Sequence, residues 1–355
     1  VGTGLSLLPA QDDPFVLDSA LSAALPNYIS NSIQVGDFNG DGINDIIFSG
    51  YNYTEEESFY SLVYGNTDGS LTNHSTTFFI DDSVTDHVSE LGGIGGIDLI
   101  DFNRDGFLDF HLNGSGSSRL YRNSSGQFEE SINVTENLPY QSNSRWGDVN
   151  MDGAPDLFMM YLSQDQKIYN QIFINENNTL EEDPTAIFPD IYNGTSSWGD
   201  YDNDGDPDLI MCGQNADESA SVTRFYQNEP TGRLIEDTNQ DLIGLKAGSF
   251  RFADLDADGD RDLIMSGWNK IDDYVITRIY KNEPLGTYSL APDTSQITDF
   301  GTAYGSIDAV DFDGDGDKDI LISGANVVSS YANDIYGLKG KIYENNGDFT
   351  FSLIK

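Results

Sequence analysis

The chain has 355 residues, of which 60 are Asp or Glu and 17 are Lys or Arg, a formal net charge of −43. A surface this acidic cannot neutralise phosphates, which excludes nucleic acid as a partner and argues against anionic membranes. The single cysteine, Cys212, sits in an apolar run and reads as a small buried hydrophobe, so no disulfide framework is available.

In chain order, residues 1–13 form an apolar extension that could be donated to a neighbour as a strand. The chain starts at Val1 with no visible signal peptide, which fits a mature, processed form, and no stretch is long enough to span a bilayer. Residues 14–27, PFVLDSALSAALPN, share the pattern of residues 126–139, GQFEESINVTENLP, and predict a spare outer strand. That strand could pair within the last repeat, begin a partial seventh repeat, or join another molecule head to tail as in a filament.

From Asp37 onward one acidic loop recurs six times, its copies starting 64, 47, 52, 54 and 57 residues apart. Loop one offers Asp37, Asn39, Asp41 and Asp45 at positions 1, 3, 5 and 9; loop two Asp101, Asn103, Asp105 and Asp109; loop three Asp148, Asn150, Asp152 and Asp156. Loop four offers Asp200, Asp202, Asp204 and Asp208; loop five Asp254, Asp256, Asp258 and Asp262; loop six Asp311, Asp313, Asp315 and Asp319. Position 6 is always glycine, where the chain must turn sharply without a Cβ. The turn aims the carbonyl of position 7 inward as a fifth ligand, at Ile43, Phe107, Ala154, Asp206, Asp260 and Asp317, whose side chains need not matter.

Oxygen ligands at this spacing suit Ca²⁺, up to six ions in all. Magnesium keeps its waters, and zinc would want Cys or His, which no loop contains. Ligand charge predicts tighter binding in loops four to six, which have Asp rather than Asn at position 3. An EF-hand needs Glu at position 12; here stand Phe48, Leu112, Met159, Met211, Met265 and Ile322, inside short apolar runs that read as buried strands. A bland alternative, a polar Asp-rich turn, is outweighed by six copies.

Each repeat continues with a third strand ending in an aromatic-x-Asn turn: Tyr64-Gly65-Asn66, Tyr121-Arg122-Asn123, Phe173-Ile174-Asn175, Tyr226-Gln227-Asn228, Tyr280-Lys281-Asn282 and Tyr343-Glu344-Asn345. A fourth strand follows, and four short strands per repeat predict an all-β propeller blade. Residues 14–355 therefore read as one propeller domain with six motif-bearing blades, seven being the alternative.

These loops and turns resemble the FG-GAP/VCBS repeats of integrin α-subunit propellers and secreted propellers, closer to the VCBS form. The resemblance implies that each loop joins the first two strands of a blade and holds calcium. The integrin signatures are absent as a set, so a signalling role does not carry over.

Seven sequons, at Asn52, Asn73, Asn113, Asn123, Asn133, Asn177 and Asn193, point to an extracellular glycoprotein, secreted or on a cell surface, and are expected in turns or connections. All precede residue 196, which leaves the later blades bare as the expected contact face. The leading functional reading is a non-catalytic adhesion or filament subunit that self-associates or binds an extracellular protein. The alternative is a lectin-like module with Trp268 stacking on sugar, against the plainer reading of a packing Trp; Trp146 and Trp198 read as core. An enzyme is the least supported class: His74, His87 and His111 suggest no nucleophile or acid–base constellation, and the glycine-rich residues 92–100 lack the Lys of a phosphate loop.

Overall fold

A run such as LIMSG can bury both faces, while the acidic loop before it cannot, so each repeat alternates between buried strand and exposed turn. The computed structural model describes residues 4–7, 15–18, 29–52, 57–79, 96–113, 116–138, 143–163, 167–271, 274–283, 286–292, 297, 301–325, 338–347 and 349–354. His87 and residues 92–95 lie outside them.

Two short strands come first, β1 (Gly4–Leu7) and β2 (Phe15–Asp18). Blade one is β3 (Ile29–Gly36), β4 (Asp45–Asn52), β5 (Glu57–Gly65) and β6 (Leu71–Phe79). Blade two is β7 (Ile97–Ile100), β8 (Asp109–Asn113), β9 (Gly116–Ser124) and β10 (Gln127–Leu138). Blade three is β11 (Asn143–Gly147), β12 (Asp156–Leu162), β13 (Ile168–Glu176) and β14 (Thr179–Glu182). Blade four is β15 (Ile191–Gly199), β16 (Asp208–Asn215), β17 (Ser221–Glu229) and β18 (Arg233–Glu236). Blade five is β19 (Lys246–Ala253), β20 (Asp262–Asn269), β21 (Tyr274–Glu283) and β22 (Thr287–Leu290). Blade six is β23 (Ala303–Val310), β24 (Asp319–Ala325), β25 (Leu338–Asn345) and β26 (Phe351–Leu353).

Every blade is a four-stranded antiparallel meander in sequence order. The protein is thus an all-β propeller of six blades, not seven. Each acidic loop joins the first and second strands of its blade, and position 9 is the first residue of the second strand in all six. The spare strand β2 pairs with β1, Leu7 opposite Phe15 and Gly4 opposite Asp18, in a separate two-stranded sheet. It does not enter the last blade, which has its own fourth strand.

The chain divides into two compact units: Val1–Ser144 with Leu162–Lys167 and Glu176–Leu180, and Arg145–Tyr161 with Ile168–Asn175 and Glu181–Lys355. Within the first, Phe38, Ile47 and Leu62 of blade one pack with Ile97, Phe110 and Tyr121 of blade two. Within the second, Ile210 and Phe225 of blade four pack with Leu263 and Ile276 of blade five, and Ile264 and Ile279 of blade five pack with Ile320 and Tyr343 of blade six. The second strands of blades three, four and five are almost wholly buried. Removing such apolar surface from water is the main stabilising term of the fold. Trp198 belongs to this packing, its indole edge-on to Phe158 and its Nε1–H donating to the Arg145 carbonyl at 3.2 Å. Trp146 is half-buried.

Candidate metal centres

The six loops share one backbone path. Position 3 accepts from the N–H of position 5, as in Asp41 to Asn39 at 2.9 Å, and position 5 accepts from position 7, as in Ile43 to Asp41 at 2.8 Å. The same two bonds recur in all the other loops. Position 6 has φ between 84° at Gly42 and 106° at Gly316, as expected. Position 4 is left-handed too, with Gly40, Arg104, Met151, Asn203, Ala257 and Gly314 at φ 77°, 59°, 58°, 59°, 60° and 84°.

Position 9 does more than offer a ligand oxygen. Asp262 accepts from the N–H of Leu255, loop position 2, at 2.9 Å and from the N–H of Asn282 on the third strand, also at 2.9 Å. Asp45, Asp109, Asp156, Asp208 and Asp319 repeat both bonds. These six carboxylates are buried, between 0 and 2 % exposed. Burial pushes Asp109 and Asp156 up to about 6, Asp262 to about 7 and Asp208 to about 8, with the backbone donors pulling less strongly the other way.

The Asn of the aromatic-x-Asn turn is a clamp. Asn282 Nδ2 donates to the Tyr201 carbonyl of the preceding blade's loop at 2.7 Å and to the Arg261 carbonyl of its own loop at 3.1 Å. Asn123, Asn228 and Asn345 do the same toward Phe38, Val149 and Leu255. Blade one departs from the expected register. Ile46 pairs with Val63, where Leu263 pairs with Tyr280, so Gly65 and not Asn66 occupies the clamp position. Gly65 keeps the N–H bond to Asp45 but has no amide to donate, and Asn66 instead caps the following turn through Ser70 and Thr72.

Convergent acids occur in three loops. One carboxylate oxygen from each of Asp200, Asp202 and Asp208 lies within 4.8 Å of the other two, and the same holds for Asp254, Asp256 and Asp262 and for Asp311, Asp313 and Asp315. Loops one to three bring no such acidic trio together among the described residues. In loops two and three the Asn at position 3 reaches position 5 itself: Asn103 Nδ2 donates to Asp105 at 2.8 Å and Asn150 Nδ2 to Asp152 at 3.2 Å.

The position 1 carboxylates differ in the same sense. Asp37 accepts from Gly40, Asp41 and Gly42, Asp101 from Asp105 and Gly106, and Asp148 from Asp152 and Gly153. Asp311 of loop six is capped likewise by Gly314 and Gly316. In loops four and five, by contrast, Asp200 Oδ1 and Asp254 Oδ1 are buried without a hydrogen-bond partner, as is Asp206 Oδ1. Buried anionic oxygens that lack donors are what a hard cation satisfies, so the donor sets of loops four and five fit a metal ion.

Two residues missed in the sequence enter these sets from the third strand. Gln227 Nε2 donates to Asp202, and Lys281 Nζ pairs with Asp256 and, at 2.9 Å, with Asp258. The signal was the x of aromatic-x-Asn, which lies across the loop from position 3. Position 7 side chains also matter, contrary to expectation. Asp206 is buried, and burial beside Asp204 pushes its carboxyl up to about 6. Asp260 of loop five accepts from Asn203 Nδ2 of loop four at 2.6 Å.

The sequons are not confined to turns. Asn177 is exposed in a turn, but Asn52, Asn73, Asn133 and Asn193 lie in strands β4, β6, β10 and β15. Asn113 and Asn123 are each 2 % exposed, and the Asn123 amide already serves two carbonyls, so these two are poor glycan acceptors in the folded chain. Trp268, at the end of β20, is half-buried with Lys246 Nζ 5.8 Å from its ring centroid. His111, which suggested no partner in the sequence, joins Ser118 Oγ through Nε2 at 2.6 Å and faces Asp98 Oδ2 from Nδ1 at 3.9 Å. His111 and Ser118 are both 0 % exposed, so the trio ties β7, β8 and β9 together and presents no hydroxyl to a substrate.

The FG-GAP-like repeat matches residues 101–159, 148–211, 200–265 and 254–322, each match running from one acidic loop into the strand after the next. No curated protein matches the chain in sequence. Among solved structures it is similar to AofleA from Arthrobotrys oligospora, with a TM-score of 0.47 and 10% identity over 92% of this chain and 86% of that one. It is similar to a fucose-specific lectin from Aleuria aurantia, with a TM-score of 0.47 and 9% identity over 92% and 95%. It is also similar to the V. cholerae biofilm matrix protein Bap1, with a TM-score of 0.42 and 13% identity over 79% and 42%.

Proposed function

Since the chain belongs to the FG-GAP-like repeat family, we propose that it is a calcium-braced, non-catalytic propeller serving outside the cell as a structural or adhesion subunit. The observation that carries this reading is the pair of partnerless buried oxygens, Asp200 Oδ1 and Asp254 Oδ1, inside all-oxygen acidic loops. Asp200, Asp202 and Asp208 would hold one ion, Asp254, Asp256 and Asp262 a second, and Asp311, Asp313 and Asp315 a third. Bound calcium supplies positive charge to carboxylates that burial disfavours as anions. Loops one to three, with fewer carboxylates, are weaker sites in this reading. Millimolar calcium outside the cell suits such sites, and the sequon at exposed Asn177 agrees with that location. Self-association into filaments through the amino-terminal strands is the assembly this reading favours.

Calorimetric titration of calcium into chelator-stripped protein tests it. We expect uptake at millimolar calcium and a rise in Tm, since each site stabilises by about 2.7 kcal/mol at a hundredfold excess over Kd. No uptake at millimolar calcium would overturn the reading. Electron microscopy with and without chelator tests assembly separately: filaments only with calcium support it, and isolated particles in both remove it.

A second reading, glycan binding, rests on the half-buried Trp268 near the end of β20, three residues before the exposed Ile271. Loss of glycan-array signal in Trp268→Ala with an unchanged Tm would favour it.

A further inference from the structure

We propose that Lys281 is a tethered counter-ion of loop five, standing where a metal would be drawn and having to leave before loop five fills. This rests on the metal reading of the loops and goes further, because it makes loop five, one of the most acidic, the last of the Asp-rich loops to load.

The geometry fixes the lysine from both sides. Its neighbour Tyr280 accepts through its hydroxyl from the Ile243 N–H at 3.0 Å, and Asn282 is pinned by Asp262 and by the Tyr201 and Arg261 carbonyls. From this anchored backbone Nζ reaches Asp256 at position 3 and Asp258 at position 5. The Phe349 ring lies 5.6 Å from Nζ, and the lysine side chain is 26% exposed. An ammonium held in such a half-enclosed place is only partly screened by water. Asp256 also belongs to the convergent trio with Asp254 and Asp262, so one carboxylate is claimed by two cations. Asp254 Oδ1 stays without a partner all the same, because the ammonium satisfies the far side of the loop and not position 1.

Blade four supplies the internal control. Gln227 occupies the equivalent position and donates to Asp202 as a neutral amide, which a metal displaces without moving a charge. Ile174 and Glu344, at the same position in blades three and six, bring no cation. Counting ligand carboxylates therefore ranks loops four and five as equals, and the third strand separates them. The device gives loop five a partial counter-charge without metal.

Native mass spectrometry at stepped free calcium tests this on four full-length proteins: the unmodified chain, Lys281→Met, Asp254→Asn and the double variant. Lys281→Met keeps the stem and removes the charge; Lys281→Gln, copying Gln227, serves if the Met form folds poorly. We expect Lys281→Met to take up one ion at roughly tenfold lower calcium, a usual size for coupling between competing ligands. That gain should vanish when Asp254→Asn is added, which assigns it to loop five. In chelator, Lys281→Met should melt below the unmodified chain. Identical loading of the unmodified chain and Lys281→Met, with ions bound to both, overturns the counter-ion assignment and leaves the metal reading standing. No ions on any of the four proteins overturns both.

Discussion

Loops four and five differ from the other four in what their first carboxylate does. In loops one, two, three and six both oxygens of position 1 accept from N–H groups of their own loop, whereas Asp254 of loop five takes only the Gly259 N–H, through Oδ2 at 3.2 Å. In loops four and five one oxygen of that carboxylate is buried and left without a donor. The letters do not make the difference, because loop six has the same four acids as loop five. Enclosure at position 3 does: Asp202 and Asp256 are half-buried, whereas Asp313 is exposed. One nine-residue motif thus serves either as a self-satisfied turn or as an open anionic cup, according to what packs over it.

The sharpest way to break that comparison is to attack what all loops share. Asp262→Ala removes the only acceptor shown for two buried N–H groups, and Asp109→Ala does the same in blade two. Each orphaned donor costs about 1–3 kcal/mol, so both variants should lose roughly 3–5 kcal/mol by chemical denaturation in chelator. A near-neutral Asp109→Ala would show that the brace is incidental there.

Next in size is the clamp. Asn282→Ala keeps its backbone bond to Asp262 but leaves the Tyr201 and Arg261 carbonyls without the amide, a loss of about 2 kcal/mol. Asn66→Ala removes only bonds within an exposed turn and should cost less than about 0.5 kcal/mol. Equal losses in denaturant melts would contradict the register found in blade one.

That register marks where the sequence stops being readable. Six blades, loops between first and second strands, and oxygen donors at positions 1, 3, 5 and 9 follow from a motif repeated six times. Tyr64-Gly65-Asn66 copies the letters of the clamp, but the strand ladder places Gly65 there, where a Cβ would come 2.4 Å from the Asn44 carbonyl oxygen. Position 9 reads as a ligand because Asp suits a ligand and a backbone acceptor equally well; only the N–H groups around it separate the two. Asn123 reads as a sequon by its letters, and its burial depends on the preceding blade. Lys281 reads as a surface lysine until β21 is set beside loop five.

A smaller effect sharpens the contrast between closed and open loops. Asp254→Asn should lower the calcium-bound Tm but cost little in chelator, because its remaining oxygen can keep the Gly259 N–H while the amide replaces the one buried oxygen that lacks a donor. Asp101→Asn should cost about 1 kcal/mol with or without calcium, because one of the two side-chain oxygens that accept from backbone N–H groups becomes an amide donor. Melting curves of both variants in calcium and in chelator decide it; a calcium-independent loss in Asp254→Asn would close the distinction.

The finest test lies in the left-handed residue at position 4. Ala257 and Asn203 have nearly the same backbone, with φ 60° and 59°. For an Ala side chain this conformation costs roughly 1–2 kcal/mol, partly offset by the looser unfolded chain that glycine would bring. Ala257→Gly should therefore gain about 0.5 kcal/mol. Asn tolerates the left-handed region, and Asn203 also donates to Asp260 in the neighbouring loop, so Asn203→Gly should lose stability. Opposite signs in chelator melts would show that loops four and five are tied through this amide as well as through the packing of their blades; equal gains would reduce Asn203 to a turn residue.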